Sequence, residues 1–581
     1  MPIVLFLIAL AAGSPSPDRC VADYVESYLR TYPSRATEAG RHDWDRELED
    51  FSPDARARWL SRNRQTRDEI AALVRSGGLS LDERLDLELL ARHVDQEIFA
   101  FETLERPRLD PLFWTGILGN ATVFLLVRDD RPPAERLANA QSRAAQLPRL
   151  VAQAREALAH GDPDRISPDL TRLAASQARA TAEFYRSGFP SLYPGDAGAS
   201  AREVSRQAAE GIDRFASELD SLAGRARGSP RLGRFYAQAF LLETGITEDP
   251  QSIRAQAEKD FAAKKIEASA YGRSVWKQFF GEDPPSNDDA LLRRLFARVA
   301  QDRAKSVDEF VADYRKLVAD LDSFLREHAI VTLPDPLTLF VDRSPGFFVG
   351  QSVGGVYAAG PYSPESKTLW FLPTPPASAG PEARDAFFRD FNHHFNVMIT
   401  PHEILPGHYL QLKFAARHPR KVRALFADGV YVEGWGTFCE RLMLDSGWGG
   451  PLDRLAHLKK QLENTARAIV DIRVHTGSMT RDEVIRFVKE EALQDDQFAS
   501  NMWTRAISSP IQITTYYLGY RQVRGLYDDV RRARGEAFHL REFMDGMMEM
   551  GPVPVPRYRE RLLGSSPAAP SARSGGGGEK P

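Results

Sequence analysis

The chain has 581 residues, 43% of them hydrophobic, and 76 Lys and Arg against 80 Asp and Glu, for a net charge of −4. That near balance leaves no whole-chain field to recruit nucleic acid or an anionic membrane, while the length supplies ample material for a core. Two cysteines, Cys20 and Cys439, are too few for a disulfide framework or for a closed thiolate metal site.

At the N-terminus, residues 1–13 hold an apolar run from Pro2 to Ala12, too short to anchor the chain across a bilayer. Ala9-x-Ala11 followed by Gly, Ser and Pro reads as a secretory cleavage site and predicts a secreted or periplasmic protein, although a basic n-region is missing. No small-residue pattern precedes Cys20, so lipidation is not expected.

Helix signals then follow one another. Charges of both signs interleave over Asp54–Glu69 and Asp288–Arg303, as on solvated helix faces. Ser80-Leu81-Asp82-Glu83 is a capping box opening a run to about residue 103, and Thr480-Arg481-Asp482-Glu483 is another. Ser167-Pro168 and Asp249-Pro250 each put a cap before a proline at the first helical position. Long runs cover 133–160, 199–224, 250–280 and 288–328, with no internal repeat. Length alone allows two to four domains, but the periodicity predicts one large, mainly α body: a helical part over 20–330 and a catalytic part over 331–560. The tail from Gly564 to Pro581, rich in Gly, Ser, Pro and Ala, is expected to be disordered.

Residues 331–373 differ in character. Leu337–Val341, Gly354–Tyr357 and Leu369–Leu372 are β-prone and separated by Gly, Pro and Ser, which predicts a small antiparallel sheet. An edge strand there would hold an extended peptide by strand addition. The glycine run Val349–Gly355 lacks the G-K-[ST] ending of a phosphate loop and reads as a turn or substrate-lining loop.

The decisive segment is His402-Glu403-Ile404-Leu405-Pro406-Gly407-His408. Two imidazoles around a carboxylate, with further carboxylates at Glu433 and Glu440, are the parts of a catalytic zinc site: three protein ligands, an open position for water, and a nearby base. The spacing is unusual. Six residues turn through about 600° at roughly 100° each, leaving the imidazoles some 120° out of register on a regular helix. Pro406 and Gly407 predict a kink or bulge that swings His408 back; the alternative is that they end one helix and His408 caps the next. His393 and His394, about two turns earlier, are expected to be surface or supporting groups. Glu433 and Glu440 are seven apart and share a helical face. Glu433 is the expected third ligand, Glu440 the carboxylate orienting a ligand His, and Gly434 and Gly436 should let that helix approach the His-bearing one.

The string H-E-x-x-P-G-H, then E-G-W, resembles a bacterial family catalogued only as a domain of unknown function and grouped with helical zinc peptidases related to thimet oligopeptidase, angiotensin-converting enzyme and the Taq-type carboxypeptidase. Val470–His475 is similar to its D-x-G-L-H stretch, with Arg473 where the family has glycine. Arg505 followed by Pro510–Tyr516 resembles R-x(4)-P-x-Q-x(3)-Y, and Arg128–Leu137 is also family-like. The resemblance spans most of residues 20–560 and implies a metal-dependent peptidase fold without naming a substrate.

Read physically, His475 and Tyr516 are candidate donors to an oxyanion, and Arg505 can pair with a substrate carboxylate. Each also has an ordinary structural reading: Tyr516 and Tyr517 as core aromatics with a satisfied hydroxyl, Arg505 in an ion pair. The expectation is a Zn2+-dependent hydrolase of small or unfolded peptides, with His402, His408 and Glu433 on the metal and Glu403 as base. Alternatives are a hydrolase of non-peptide amides or isopeptides, or an inactive binding protein. No nucleic-acid partner and no stable membrane span are expected.

Overall fold

A computed structural model describes residues 16–193, 197–348, 354–376 and 379–564. The expected leader, most of the Val349–Gly355 run and the tail beyond residue 564 lie outside them. The fold is mainly α, with one three-stranded sheet among the described residues.

Local signals set most helix ends. The Ser80 hydroxyl accepts from the Glu83 amide while the Glu83 carboxylate accepts from the Ser80 amide, and Thr480 and Glu483 repeat the arrangement. Ser167 caps Pro168–Glu183 through the Leu170 amide, whereas Asp249 makes no side-chain cap bond. The runs over 199–224 and 250–280 are the single helices Ala197–Arg225 and Pro250–Phe280. The other two are each broken in the middle. Pro148 lies in the first turn of Leu147–Ala159 and cannot continue the preceding Pro133–Ala144. Ser306 caps Val307–His328 after Asp288–Val299 has ended.

The sheet contains β1 (Leu339–Arg343), β2 (Gly355–Tyr357) and β3 (Thr368–Leu372) in the order β1-β3-β2. It is mixed, not antiparallel as expected. β2 and β3 are joined by a local return and pair antiparallel, with Val356 opposite Trp370. β1 takes the other edge of β3 and runs parallel, with Val341 opposite Trp370. β3 is buried along its whole length, and Trp370 packs on Tyr314 at 4.8 Å.

Six helices hold the chemistry: His393–Glu403, His408–Arg417, Gly429–Asp445, Pro451–His475, Asp496–Ser508 and Gln512–Arg534. Gly429–Asp445 packs against both His393–Glu403 and Gln512–Arg534. Gly436 faces the His402 ring as expected, but Gly434 meets Gly519 of the Tyr516-bearing helix instead, backbone against backbone. The Pro451–His475 helix is buried on nearly all sides, yet it carries His457, Lys460, Glu463, Arg467, Asp471 and His475 inside. Polar groups enclosed this way need partners inside the protein.

Cys20 lies in Pro17–Thr31, buried with its thiol 3.8 Å from Glu69, and Cys439 is buried and unpaired with any other cysteine. No helix among the described residues is long and apolar enough to cross a membrane.

Candidate metal centre

The Pro406-Gly407 pair does not kink a continuous helix. One helix ends at Glu403 and the next starts at His408, with a tight connection between them that includes a cis Leu405–Pro406 bond. The break still brings the imidazoles together, because His402 closes the first helix and His408 opens the second. Their rings stand 4.6 Å apart and nearly perpendicular, at 84°. The Trp435 indole donates to the Pro406 carbonyl at 2.8 Å and holds the turn in place. Position 407 has to be glycine, since a Cβ there would overlap the carbonyl oxygens of Pro401 and His402.

Glu433, reaching in from the adjacent helix, completes a trio. The Nε2 atoms of His402 and His408 each lie 3.6 Å from the same Glu433 oxygen, Oε2. The three ligand atoms fall within 4.8 Å of one another. Bonds of roughly 2.1 Å in tetrahedral geometry separate ligand atoms by about 3.4 Å, so this donor set fits Zn2+. Glu433 Oε2 is buried with no hydrogen-bond partner among the described residues, as a ligand atom should be.

Behind the trio, Glu440 is fully buried and its Oε1 accepts from His402 Nδ1 at 2.8 Å. That bond fixes the tautomer and leaves the Nε2 lone pair facing Glu433. His457, absent from the sequence-based expectation, sets its Nδ1 3.3 Å from the other Glu440 oxygen. Burial alone would raise the Glu440 carboxyl, but its contacts with His402 and His457 hold it down at about 2. Burial would likewise discharge His402, yet Glu433 and Glu440 outweigh it and raise the imidazole to about 10. Glu433 is pulled far below the usual carboxylate range by both histidines, against its own burial. The pocket therefore favours positive charge at its centre, whether a proton or a metal ion supplies it.

Glu403 is half-buried, next to His402, and its carboxylate makes no hydrogen bond or ion pair among the described residues. Tyr516 is brought to the same place: its ring lies 6.2 Å from that of His402 at 26°. Gln512, which the sequence reading quoted but gave no role, ties the group together. Its amide nitrogen is 3.3 Å from Glu433 Oε1 and 3.2 Å from the Tyr516 hydroxyl, and its oxygen accepts from Arg505 at 3.0 Å. Arg505 thus has one arm of its fork already engaged.

His475 is not part of this assembly, which corrects its expected role as an oxyanion donor. Its Nδ1 accepts from the Leu232 amide at 3.1 Å, its Nε2 donates to the Ala506 carbonyl at 2.9 Å, and its ring stacks on Tyr236. With both nitrogens taken, none remains for substrate. Asp471, one turn earlier, accepts from the Ile511 amide and the Thr514 hydroxyl, and so pins the start of the Tyr516 helix, where Ile511 has φ +71°. The Val470–His475 motif is a brace. It fixes Arg505 and Tyr516 from behind, and its spacing alone could not distinguish that from contact with substrate.

His393 pairs with Asp313, and His394 lies between Asp453 and Asp302, so both are supporting groups. Glu433, Gln512 and Thr515 line a cavity of about 730 Å³ whose far wall includes Val356 and Tyr357 of β2. Arg128 donates to the Ala358 carbonyl and anchors the segment leaving that strand.

Residues 33–562 match the family described as "Bacterial protein of unknown function (DUF885)". A candidate lipoprotein of unknown function from Shewanella oneidensis has a similar structure, with TM-score 0.77 and 24% identity over 94% of this chain and 100% of that one. A candidate lipoprotein from Colwellia psychrerythraea also has TM-score 0.77, at 15% identity over 94% and 98%. At these identities the likeness is one of fold. No curated protein matches the chain.

Proposed function

We propose, for a chain that belongs to the DUF885 family of bacterial proteins of unknown function, that it is a zinc-dependent hydrolase of amide bonds in small or unfolded peptides. The observation that carries this reading is the approach of two imidazole Nε2 atoms to one Glu433 oxygen, each at 3.6 Å. His402, His408 and Glu433 would hold the metal, with Glu440 orienting His402. Zinc bound there supplies Lewis acidity, polarising a carbonyl and lowering a water's pKa to roughly 7.

The chain's own residues do the rest. Glu403 accepts a proton from the attacking water and passes it to the amide nitrogen as the C–N bond breaks and the electron pair leaves with the amine. One water is consumed, giving a carboxylic acid and an amine. The Tyr516 hydroxyl, aligned by Gln512, donates to the oxygen on which negative charge builds. The free edge of β2, across the cavity from Glu433, suits an extended peptide backbone. The fold resemblance to candidate lipoproteins, with the leader-like N-terminus, supports a location outside the cytoplasm.

The test is metal analysis of the purified full chain together with peptide turnover, with and without chelator. Bound zinc, loss of turnover on chelation and rescue by Zn2+ are expected, and Glu403→Gln should keep the metal and lose most activity. Absence of metal and of rescue would leave a binding protein.

A further inference from the structure

A second cavity, of about 310 Å³, is lined by Arg467, whose guanidinium lies against the Tyr516 ring. Phe391, Phe395 and Phe498 make its wall apolar, and its inner end carries Lys460, Arg467 and Arg505. Those three cations face a single inner carboxylate. Lys460 Nζ is 3.0 Å from Glu463 Oε1, and Arg467 contacts that same oxygen. The remaining charges, Lys459 with Asp495 and Asp390, belong to the same lining, where Lys459 and Asp495 neutralise each other at 3.1 Å.

Arg467 is only 4% exposed, and its Nε has no hydrogen-bond partner among the described residues. A buried guanidinium donor without an acceptor, in a lining that carries Lys459, Lys460, Arg467 and Arg505 against Asp390, Glu463 and Asp495, is costly unless an anion joins it. The cluster also adjoins the reacting centre. The Arg467 guanidinium lies 4.8 Å from the centre of the Tyr516 ring, which is itself 6.2 Å from the His402 ring. Arg505 reaches Glu433 through Gln512. The two separations together are on the order of three extended residues at roughly 3.5 Å each, part of which the contacts to the metal ligands and to the guanidinium take up.

We propose that this cavity receives the C-terminal carboxylate and apolar terminal side chain of the substrate, making the protein an exopeptidase that removes one or two C-terminal residues. The proposal rests on the hydrolytic reading above and deepens it. Lys460 and Arg467 bind the carboxylate with the free arm of Arg505, the phenylalanines take the side chain, and the scissile bond lies against the metal trio. Arginine forks match a carboxylate in plane, which sets register as well as affinity.

The experiment uses full-length zinc-loaded protein and peptides of one sequence ending in Phe, as free acid or C-terminal amide, with products read by mass spectrometry. Release of one- or two-residue fragments from the acid is expected, falling roughly 10- to 100-fold for the amide. Arg467→Met and Lys460→Met should raise KM for the acid more than for the amide, so that the acid-to-amide preference shrinks, while Arg467→Lys, which keeps the buried charge, guards against a variant that does not fold. An amide-capped peptide ending in Glu separates a main-chain from a side-chain carboxylate, and cleavage equal to that of the free acid would overturn the terminal assignment. Equal cleavage of acid and amide at internal bonds overturns the proposal and leaves the hydrolase intact. Calorimetric binding of both peptides to Glu403→Gln keeps the two readings apart. Preference for the acid without any wild-type turnover supports the pocket and sinks the hydrolase; neither preference nor turnover sinks both.

Discussion

His402 Nδ1 donates to Glu440 Oε1 at 2.8 Å, and both side chains are buried. The bond aims the imidazole and makes its other nitrogen more basic, so on the proposed reading Glu440 would tune metal affinity without touching the metal. Glu440→Gln should weaken zinc binding roughly 10- to 100-fold with the fold kept. Competition against a chelator of known affinity measures this, and unchanged affinity would reduce Glu440 to a buried structural charge.

Gly436 leaves room for that same ring. A Cβ at this position would stand 2.8–2.9 Å from three atoms of the His402 imidazole. Gly436→Ala should therefore displace His402, costing about 1–3 kcal/mol of stability and most of the zinc affinity. Thermal unfolding with and without metal is the check: the gap between apo and zinc-loaded Tm should shrink relative to wild type.

Tyr516 meets the site through its ring, beside His402, and through its hydroxyl, which accepts from Gln512. Tyr516→Phe should leave zinc content unchanged and lower kcat roughly 100-fold, the scale of losing one oxyanion donor. A rise in KM alone, at constant kcat, would assign the tyrosine to substrate binding instead.

Far from the metal, His42 bridges Asp45 at 2.8 Å and Asp130 at 3.4 Å. Asp130 and Asp45 beside it outweigh the cost of burial and raise it from an ordinary 6.5 to about 9. A folded-state pKa above the unfolded one means the contribution is complete below pH 6.5 and fades as pH rises through 9. It amounts to something on the order of 3 kcal/mol. The Tm difference between wild type and His42→Gln should be largest near pH 6 and nearly vanish by pH 10; a difference independent of pH would mean that His42 acts through packing.

Much of the local architecture was legible because its causes are local. The boxes at Ser80 and Thr480 depend on side chains three residues apart, and β3 declares itself in Leu369–Leu372. The breaks at Pro148 and Ser306 interrupt the helical runs over 133–160 and 288–328, whose apolar periodicity continues across them. His475 was misjudged for a different reason. A buried imidazole held by two backbone groups and one poised over substrate look identical in a string of residues.

The amino-acid sequence alone determined which groups were available for chemistry: two imidazoles and a carboxylate base in seven residues, further carboxylates seven apart on one helical face, and a mainly helical frame. Only the tertiary structure decided how they meet. Trp435, from a different helix, holds the turn that sets His408 beside His402, and strand order, Gln512 and the cations beyond Tyr516 come together from segments distant along the chain. Propensity and capping act over a few residues, whereas convergence on a single point depends on how whole elements pack, and no local pattern encodes that.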